Sequence, residues 1–249
     1  VLLDTLKITG MELNKDYIVA HDEDGNVVIT IDDESSHAND VTITVAYTML
    51  KPKGVDKTDI IGGIDINTGE SKGLEVIADI FSTTSIVPGV LIAPGWSHIP
   101  EVAAIMATKV NSINGIFKGV TIIDADTTTA KKYSDVPAWK NKYNITSANQ
   151  YLVWPNCQVN GKVMHLSAHA IGTMGVMDYD NNDIPFESPS NKELKIEGIC
   201  LYDGTEVVLN LETANYLNGN GVATGLNFIG GWKLWGNEMA CYPANTDPK

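Results

Sequence analysis

The chain has 249 residues, 43% of them hydrophobic, with 31 acidic against 17 basic side chains and a formal net charge of −14. That is enough apolar chain for a substantial core, organised as one large domain or as one domain with a small satellite. The acid excess leaves no source for neutralising phosphates, which argues against a nucleic-acid partner. The longest apolar runs, such as residues 87–94, are strand-sized and broken by Pro and Gly, so no membrane insertion is expected.

Residues 16–20 and 27–31 are predicted strands. Between them Asp22-Glu23-Asp24-Gly25-Asn26 supplies the positive φ of a tight hairpin, and Val27, Ile29 and Ile31 alternate on one face. Residues 41–47 alternate likewise, and Lys51-Pro52-Lys53-Gly54 closes a small β-rich unit at residues 1–54. From Asp59 the pattern changes to alternating strand and helix, which makes residues 55–249 an α/β core domain. Residues 60–66 are a candidate strand, and Leu74, Ile77, Ala78 and Phe81 then recur at helical spacing. Residues 87–93 form a second strand, apolar throughout as buried parallel strands are. Ser97 is placed to cap the next helix, Pro100 fits its first turn, and Val102, Ile105, Met106 and Lys109 set its stripe. A third strand at 120–123 precedes a helix from about 127 to 143, interrupted by Pro137, and a fourth strand at 151–154. Asn160-Gly161 marks a second tight hairpin. Residues 165–177 read as a helix in which Ala168, Ala170, Gly172 and Gly175 allow close approach. A short helix at 212–217 is ended by Asn218-Gly219, and residues 228–233 make a last hairpin. The expected fold class is α/β (α+β overall): a mostly parallel sheet with flanking helices, preceded by a small antiparallel β unit.

Cys157, Cys200 and Cys241 are odd in number, widely spaced and without a Cys-x-x-Cys pair, as expected of three buried reduced thiols. Asn144-Ile145-Thr146 fits the glycosylation sequon, but no signal-peptide pattern precedes it, so the protein reads as cytoplasmic in origin. Val1 at the start, and Asn245 to Lys249 following a Trp-rich segment, read as cut ends.

Four constellations have residue types that could carry chemistry. His165 and His169 stand at the i, i+4 spacing that lets two imidazoles share a metal, but the segment His-Leu-Ser-Ala-His lacks the glutamate base and a placed third ligand. Asp178-Tyr179-Asp180-Asn181-Asn182-Asp183 resembles the front of a calcium loop, with Asp183 where Gly is needed and Pro189 where the bidentate Glu belongs; a solvated acidic turn after a helix is the expectation. Gly62-Gly63 and Asp65-Ile66-Asn67-Thr68-Gly69 lack the P-loop Lys and any Gly-x-Gly-x-x-Gly run. Ala93-Pro94-Gly95-Trp96-Ser97-His98 lacks the Gly-x-Ser-x-Gly elbow. No catalytic, cofactor-binding or metal residue is therefore assigned, and no cofactor is expected.

A string of short matches from Thr58 to the end of the chain is similar to the contractile tail sheath proteins of phages and related particles. Thr58-Asp59-Ile60-Ile61-Gly62-Gly63-Ile64-Asp65 opens it, followed by Thr68-Gly69-Glu70 with Gly73-Leu74-Glu75. Val87-Pro88-Gly89 with Leu91-Ile92-Ala93-Pro94-Gly95-Trp96-Ser97 resembles the family's most recognisable strand and loop. Asn114-Gly115, Trp154-Pro155, Ser188-Pro189-Ser190-Asn191-Lys192, Ala214-Asn215-Tyr216-Leu217-Asn218 and Gly221-Val222-Ala223-Thr224 continue it in order. Trp235-Gly236-Asn237 resembles the start of the terminal core motif, although Glu238 and Met239 stand where the family usually has Arg and Thr.

The resemblance implies a structural subunit, not an enzyme, that polymerises around a tail tube and contracts to drive it through a cell envelope. Implied partners are further copies of itself, the tail tube protein, and baseplate and tail terminator proteins. The implied location is the virion tail, after assembly in the bacterial host cytoplasm. The family links subunits through terminal arms that add strands to a neighbour's sheet, so this core fragment is expected to be monomeric alone. The rival from the residues is an α/β enzyme or nucleotide-binding protein whose site lies at the strand carboxyl ends, where Gly62-Gly63, Pro94-Gly95 and Asp124-Ala125-Asp126 would converge. A second rival, a carbohydrate or cell-surface binding module, would need a groove of exposed Trp.

Overall fold

The computed structural model describes residues 1–23, 25–39, 42–50 and 54–243. Asp24 of the first predicted turn, Val41 at the start of a predicted strand, Lys51-Pro52-Lys53, and the terminal residues 245–249 lie outside the described residues. The chain divides into two compact units, Val1–Asp56 and Lys57–Lys249.

In the first unit β1 (Leu2–Ile8), β2 (Tyr17–His21), β3 (Val27–Ile31) and β4 (Val45–Thr48) form two antiparallel pairs, β1 with β4 and β2 with β3. Leu6, Ile8 and Tyr17 are buried together, with Ile29 and Ile31 packed against them, so the predicted alternation of β3 is the alternation of this small core.

The second unit opens on α1 (Lys57–Ile61), followed by the two-residue strands β5 (Gly63–Ile64) and β6 (Ser71–Lys72), which pair with each other. Residues 60–66 are thus not one strand. The Gly62 N–H still bonds back to the Thr58 carbonyl, and Gly62 then turns the chain at φ 71°, where a Cβ would lie 1.8 Å from the Lys72 carbonyl oxygen. The backbone approaches so closely that only glycine fits, and the apolar run is split between a helix and a turn. α2 (Ile77–Thr84) follows, as the helical spacing predicted.

The rest of the chain is β7 (Val90–Ile92), α3 (Pro100–Asn111), β8 (Val120–Asp124), α4 (Val136–Lys142), β9 (Gln150–Val153), β10 (Asn156–Val159), β11 (Lys162–Met164), α5 (Leu166–Asp180), β12 (Lys192–Glu193), β13 (Gly198–Cys200), α6 (Leu211–Asn218), β14 (Val222–Phe228) and β15 (Gly231–Trp235). Six strands form one sheet in the order β12-β15-β14-β9-β8-β7. β7, β8, β9 and β14 run parallel, and β15 and β12 close one edge antiparallel, so the sheet is mostly parallel as the alternation implied. β11, β10 and β13 make a separate antiparallel sheet, its hairpin turning at Asn160 and Gly161 with φ 50° and 68°.

Successive strand residues point to opposite faces of the main sheet. Ile123, Leu152, Trp154 and Val222 pack with α3, α4 and α6 through Val102, Met106, Val136, Trp139 and Leu217. Ile122, Tyr151, Val153 and Ala223 face the other way, onto Leu166 and Ala170 of α5. Three helices thus share one face while α5 covers the other.

Two helix boundaries differ from the reading above. α4 begins only at Val136, with Pro137 in its first turn, where the missing N–H costs nothing, so the proline starts this helix instead of interrupting a longer one. Gly219 after α6 keeps a right-handed φ of −62°, and the left-handed residue is Gly221 at φ 68°. The three cysteines are free and buried, as expected, and burial pushes the Cys157 thiol up to about 12. Among the described residues no helix is long and apolar enough to cross a membrane.

Candidate functional site

The most elaborate polar cluster lies where the rival reading would put a site, at the carboxyl end of β8. Asp124, its last residue, is 3% exposed. One carboxylate oxygen accepts the Ser167 backbone N–H at 2.9 Å; the other accepts the Ser167 hydroxyl at 2.6 Å and the Ser97 hydroxyl at 3.1 Å. The Asp124 N–H donates to Ser97 Oγ at 3.0 Å, which fixes that hydroxyl from both sides. The result is a helix cap supplied from another element. His165, the residue preceding α5, makes no side-chain cap, and the Asp124 carboxylate meets the exposed N–H groups and the positive end of the helix dipole. Ser97 therefore does not cap α3: Ile99 occupies that position without a side-chain bond, and Pro100 removes one of the N–H groups a cap would serve.

Beside the cluster is a cavity of about 380 Å³ bordered by Gly95, His98, Asp126, Asn156, His165 and Tyr202. Gly95 and the Asp124-Ala125-Asp126 segment do meet there. Gly62-Gly63 does not join them, being packed on the Lys72-Gly73 backbone. Burial pushes the His98 imidazole below its ordinary range; Asp126 opposes this and His165 adds to it. Burial works against ionising Asp126, but hydrogen bonds from Thr128 and Thr129 outweigh it and hold the carboxyl below the usual range.

In a serine–histidine pair the hydroxyl donates to an imidazole nitrogen that a third group orients. Here Ser97 and Ser167 both address the Asp124 carboxylate, and His165 Nδ1, 3.9 Å from that carboxylate, makes no hydrogen bond. The geometry is that of an anchor joining strand, loop and helix.

His165 and His169 do not share a ligand position, since His165 precedes the helix and His169 points into a groove lined by Thr173, Lys192 and Lys195. Among the described residues no group of three His, Cys, Asp or Glu is placed to hold a metal ion. Asp178 and Asp180 still belong to α5, and the acidic turn proper is Asn182-Asp183, both at positive φ. Trp139 and Trp154 are buried and the other three Trp are half-buried, so no groove of exposed Trp exists.

Sequence reasoning missed Lys140. Its side chain is buried, and Nζ donates to the carbonyls of Asn220, Ala240 at 2.9 Å and Tyr242 at 2.8 Å. One ammonium thus ties α4 to the end of α6 and to the segment after β15, and burial pushes its pKa down. Its partners lie 80 to 102 residues away, and nothing local in Trp139-Lys140-Asn141 marks the lysine as internal.

The class defined is thus a mixed α/β protein in which Asp124, at the end of β8, ties the Ser97 loop to the start of α5. No family model matches the chain. The chain is a homologue of a prophage major tail sheath protein of Pseudomonas aeruginosa (strain UCBPP-PA14), 28% identical over 214 residues covering 82% of this chain and 51% of the relative. It therefore spans about half the length of the curated relative it matches. Two solved structures are also similar at 18% identity. One is the anti-feeding prophage (AFP) baseplate, with a TM-score of 0.48, covering 72% of this chain and 44% of that one. The other is the AFP helical sheath in its contracted state, with a TM-score of 0.46, covering 78% and 46%.

Proposed function

We propose that this chain is the core part of a contractile tail sheath subunit, which polymerises around a tail tube and shortens to drive the tube through a cell envelope. The observation that carries the reading is the 28% identity to a prophage tail sheath protein, sustained over 82% of the chain. The Asp124 cluster supports a structural role over an enzymatic one, because its two serine hydroxyls and the Ser167 backbone N–H are spent on one buried carboxylate, and the nearby His165 Nδ1 makes no hydrogen bond to either serine. On this reading residues 55–249 are the sheath core domain and residues 1–54 a small β-rich unit. The partners are further copies, the tail tube protein and the baseplate and terminator proteins, within a virion tail assembled in the host cytoplasm. No residue is catalytic and no cofactor, nucleic acid or membrane insertion is involved. Contraction on this reading is a rigid-body rearrangement between two packings of one subunit.

The test is sedimentation and electron microscopy of the full-length gene product, alone and together with its tail tube protein. Regular hollow cylinders are the expected result. A species that stays monomeric beside the tube protein would return attention to the cavity at His98 and Asp126.

A further inference from the structure

Four Asn-Gly pairs stand in the chain, at 114–115, 160–161, 218–219 and 220–221. Asparagine before glycine can close a ring on the main chain, because no Cβ crowds the glycine nitrogen. That nitrogen gives up its proton and attacks the asparagine Cγ; the N–Cγ bond forms as the Cγ–Nδ2 bond breaks, and ammonia leaves with the proton. Water then opens the succinimide at either carbonyl, giving aspartate or isoaspartate with no change of oxidation state. The reaction needs a side-chain amide free to turn and a glycine N–H free to ionise, and the fold supplies these unequally.

The two pairs at the end of α6 are locked. Asn218 Nδ2 donates to Asn237 Oδ1 at 3.0 Å, and Asn218 Oδ1 accepts the N–H groups of Asn237 and Glu238 at 3.0 and 3.2 Å. The Gly219 N–H is held by the Asn215 carbonyl at 2.8 Å. Asn220 Nδ2 donates to the Tyr216 carbonyl at 2.8 Å, and the Gly221 N–H donates to the Asn218 carbonyl at 2.9 Å. Asn160 is exposed, but the Gly161 N–H donates to the Glu197 carboxylate at 3.2 Å, whose charge opposes loss of that proton. Asn114 and Gly115 are exposed in the turn between α3 and β8. The N–H groups of Ile116 and Phe117 both close on the Ile113 carbonyl, at 3.1 and 2.9 Å, while the Asn114 side chain and the Gly115 N–H have no hydrogen-bond partner.

We propose that Asn114 is a site of spontaneous modification, converting to aspartate and isoaspartate ahead of the other three asparagines. Isoaspartate carries the main chain through the side chain and lengthens the turn. Its flanks are Ile113, fully buried, and Phe117, whose ring lies 5.0 Å from that of Phe81. The modification therefore adds a surface charge and loosens the join between α3 and β8. This site stands whether or not the chain builds a sheath.

The test is peptide mapping by mass spectrometry of the full-length gene product aged in mildly alkaline buffer, with isoaspartyl methyltransferase labelling to count isoaspartate. Asn218 and Asn220 must give up several hydrogen bonds to react, so Asn114 should convert about tenfold faster than either, or more. In concentrated urea the four rates should draw together, since every pair then lacks its native bonds. Glu197→Ala, a change at an exposed side chain, should speed Asn160 and leave Asn114 as it was. Equal rates at Asn114 and Asn218 in the folded protein, or a faster Asn160 in the wild type, overturn the assignment. A lead of Asn114 that persists undiminished in urea also overturns it, because the lead then belongs to the local sequence and not to the fold. An unchanged Asn160 in the Glu197 variant overturns the protection assigned to that carboxylate.

Discussion

At Asp124 one carboxylate does for α5 what the residue before the helix does not. Asp124→Asn keeps the shape but loses the charge and one acceptor, so the unfolding free energy should fall by about 1–3 kcal/mol in urea titrations. Ser97→Ala should cost less, about 0.5–1.5 kcal/mol, because Ser167 still satisfies the carboxylate. Lys140→Met removes the donor to three carbonyls and should cost roughly 2–4 kcal/mol. Hydrogen exchange should show protection lost first in residues 236–243, the segment that Lys140 holds. Burial lowers the imidazole pKa of both His98 and His169 in the folded chain. As pH falls through the unfolded value near 6.5 the unfolded state binds protons first, so stability declines until the lowered folded values are passed. Replacing both histidines with Gln should flatten that part of the stability profile measured between pH 7 and 5. Little of this was legible in the sequence. Ser97 was read as a cap because a serine shortly before a proline-led helix is a local signal, whereas its real partner is 27 residues further on. The three carbonyls at Lys140 are backbone groups, which no side-chain pattern can announce.

At the scale of elements, what was legible depended on whether a local rule decided the conformation. The β14–β15 hairpin, the Asn160-Gly161 turn and α3 with its Pro100 start are set by turn chemistry and periodicity within a dozen residues. Residues 60–66 were misread because apolar content alone does not separate a short strand from a helix, and the deciding fact is the close approach of Lys72 to Gly62. Gly62→Ala should therefore prevent the native turn, with soluble yield and cooperative unfolding both lost. Gly175 is the opposite case: it is exposed within α5, and a Cβ there would meet nothing within 4 Å. Gly175→Ala should raise the stability of this chain by about 0.5–1 kcal/mol through helix propensity, read as a higher unfolding midpoint.

At the scale of the whole molecule, the parallel sheet gives a rigid block, with α3, α4 and α6 on one face and α5 on the other. Such a block suits a subunit that is moved as a body and is not remodelled. The alternation of strand and helix made the sheet legible, and the ordered string of short matches made the sheath resemblance legible. The exposed apolar side of α5 was legible in part, since a helix almost without charge stands out, but only its placement on the sheet shows which residues remain uncovered. The most direct test of the sheath account is cryo-electron microscopy of full-length cylinders before and after contraction. The account predicts that residues 57–243 form the cylinder wall with the same internal fold in both states, while contacts between copies change. A wall built without this domain, or a domain refolded between the two states, would contradict it.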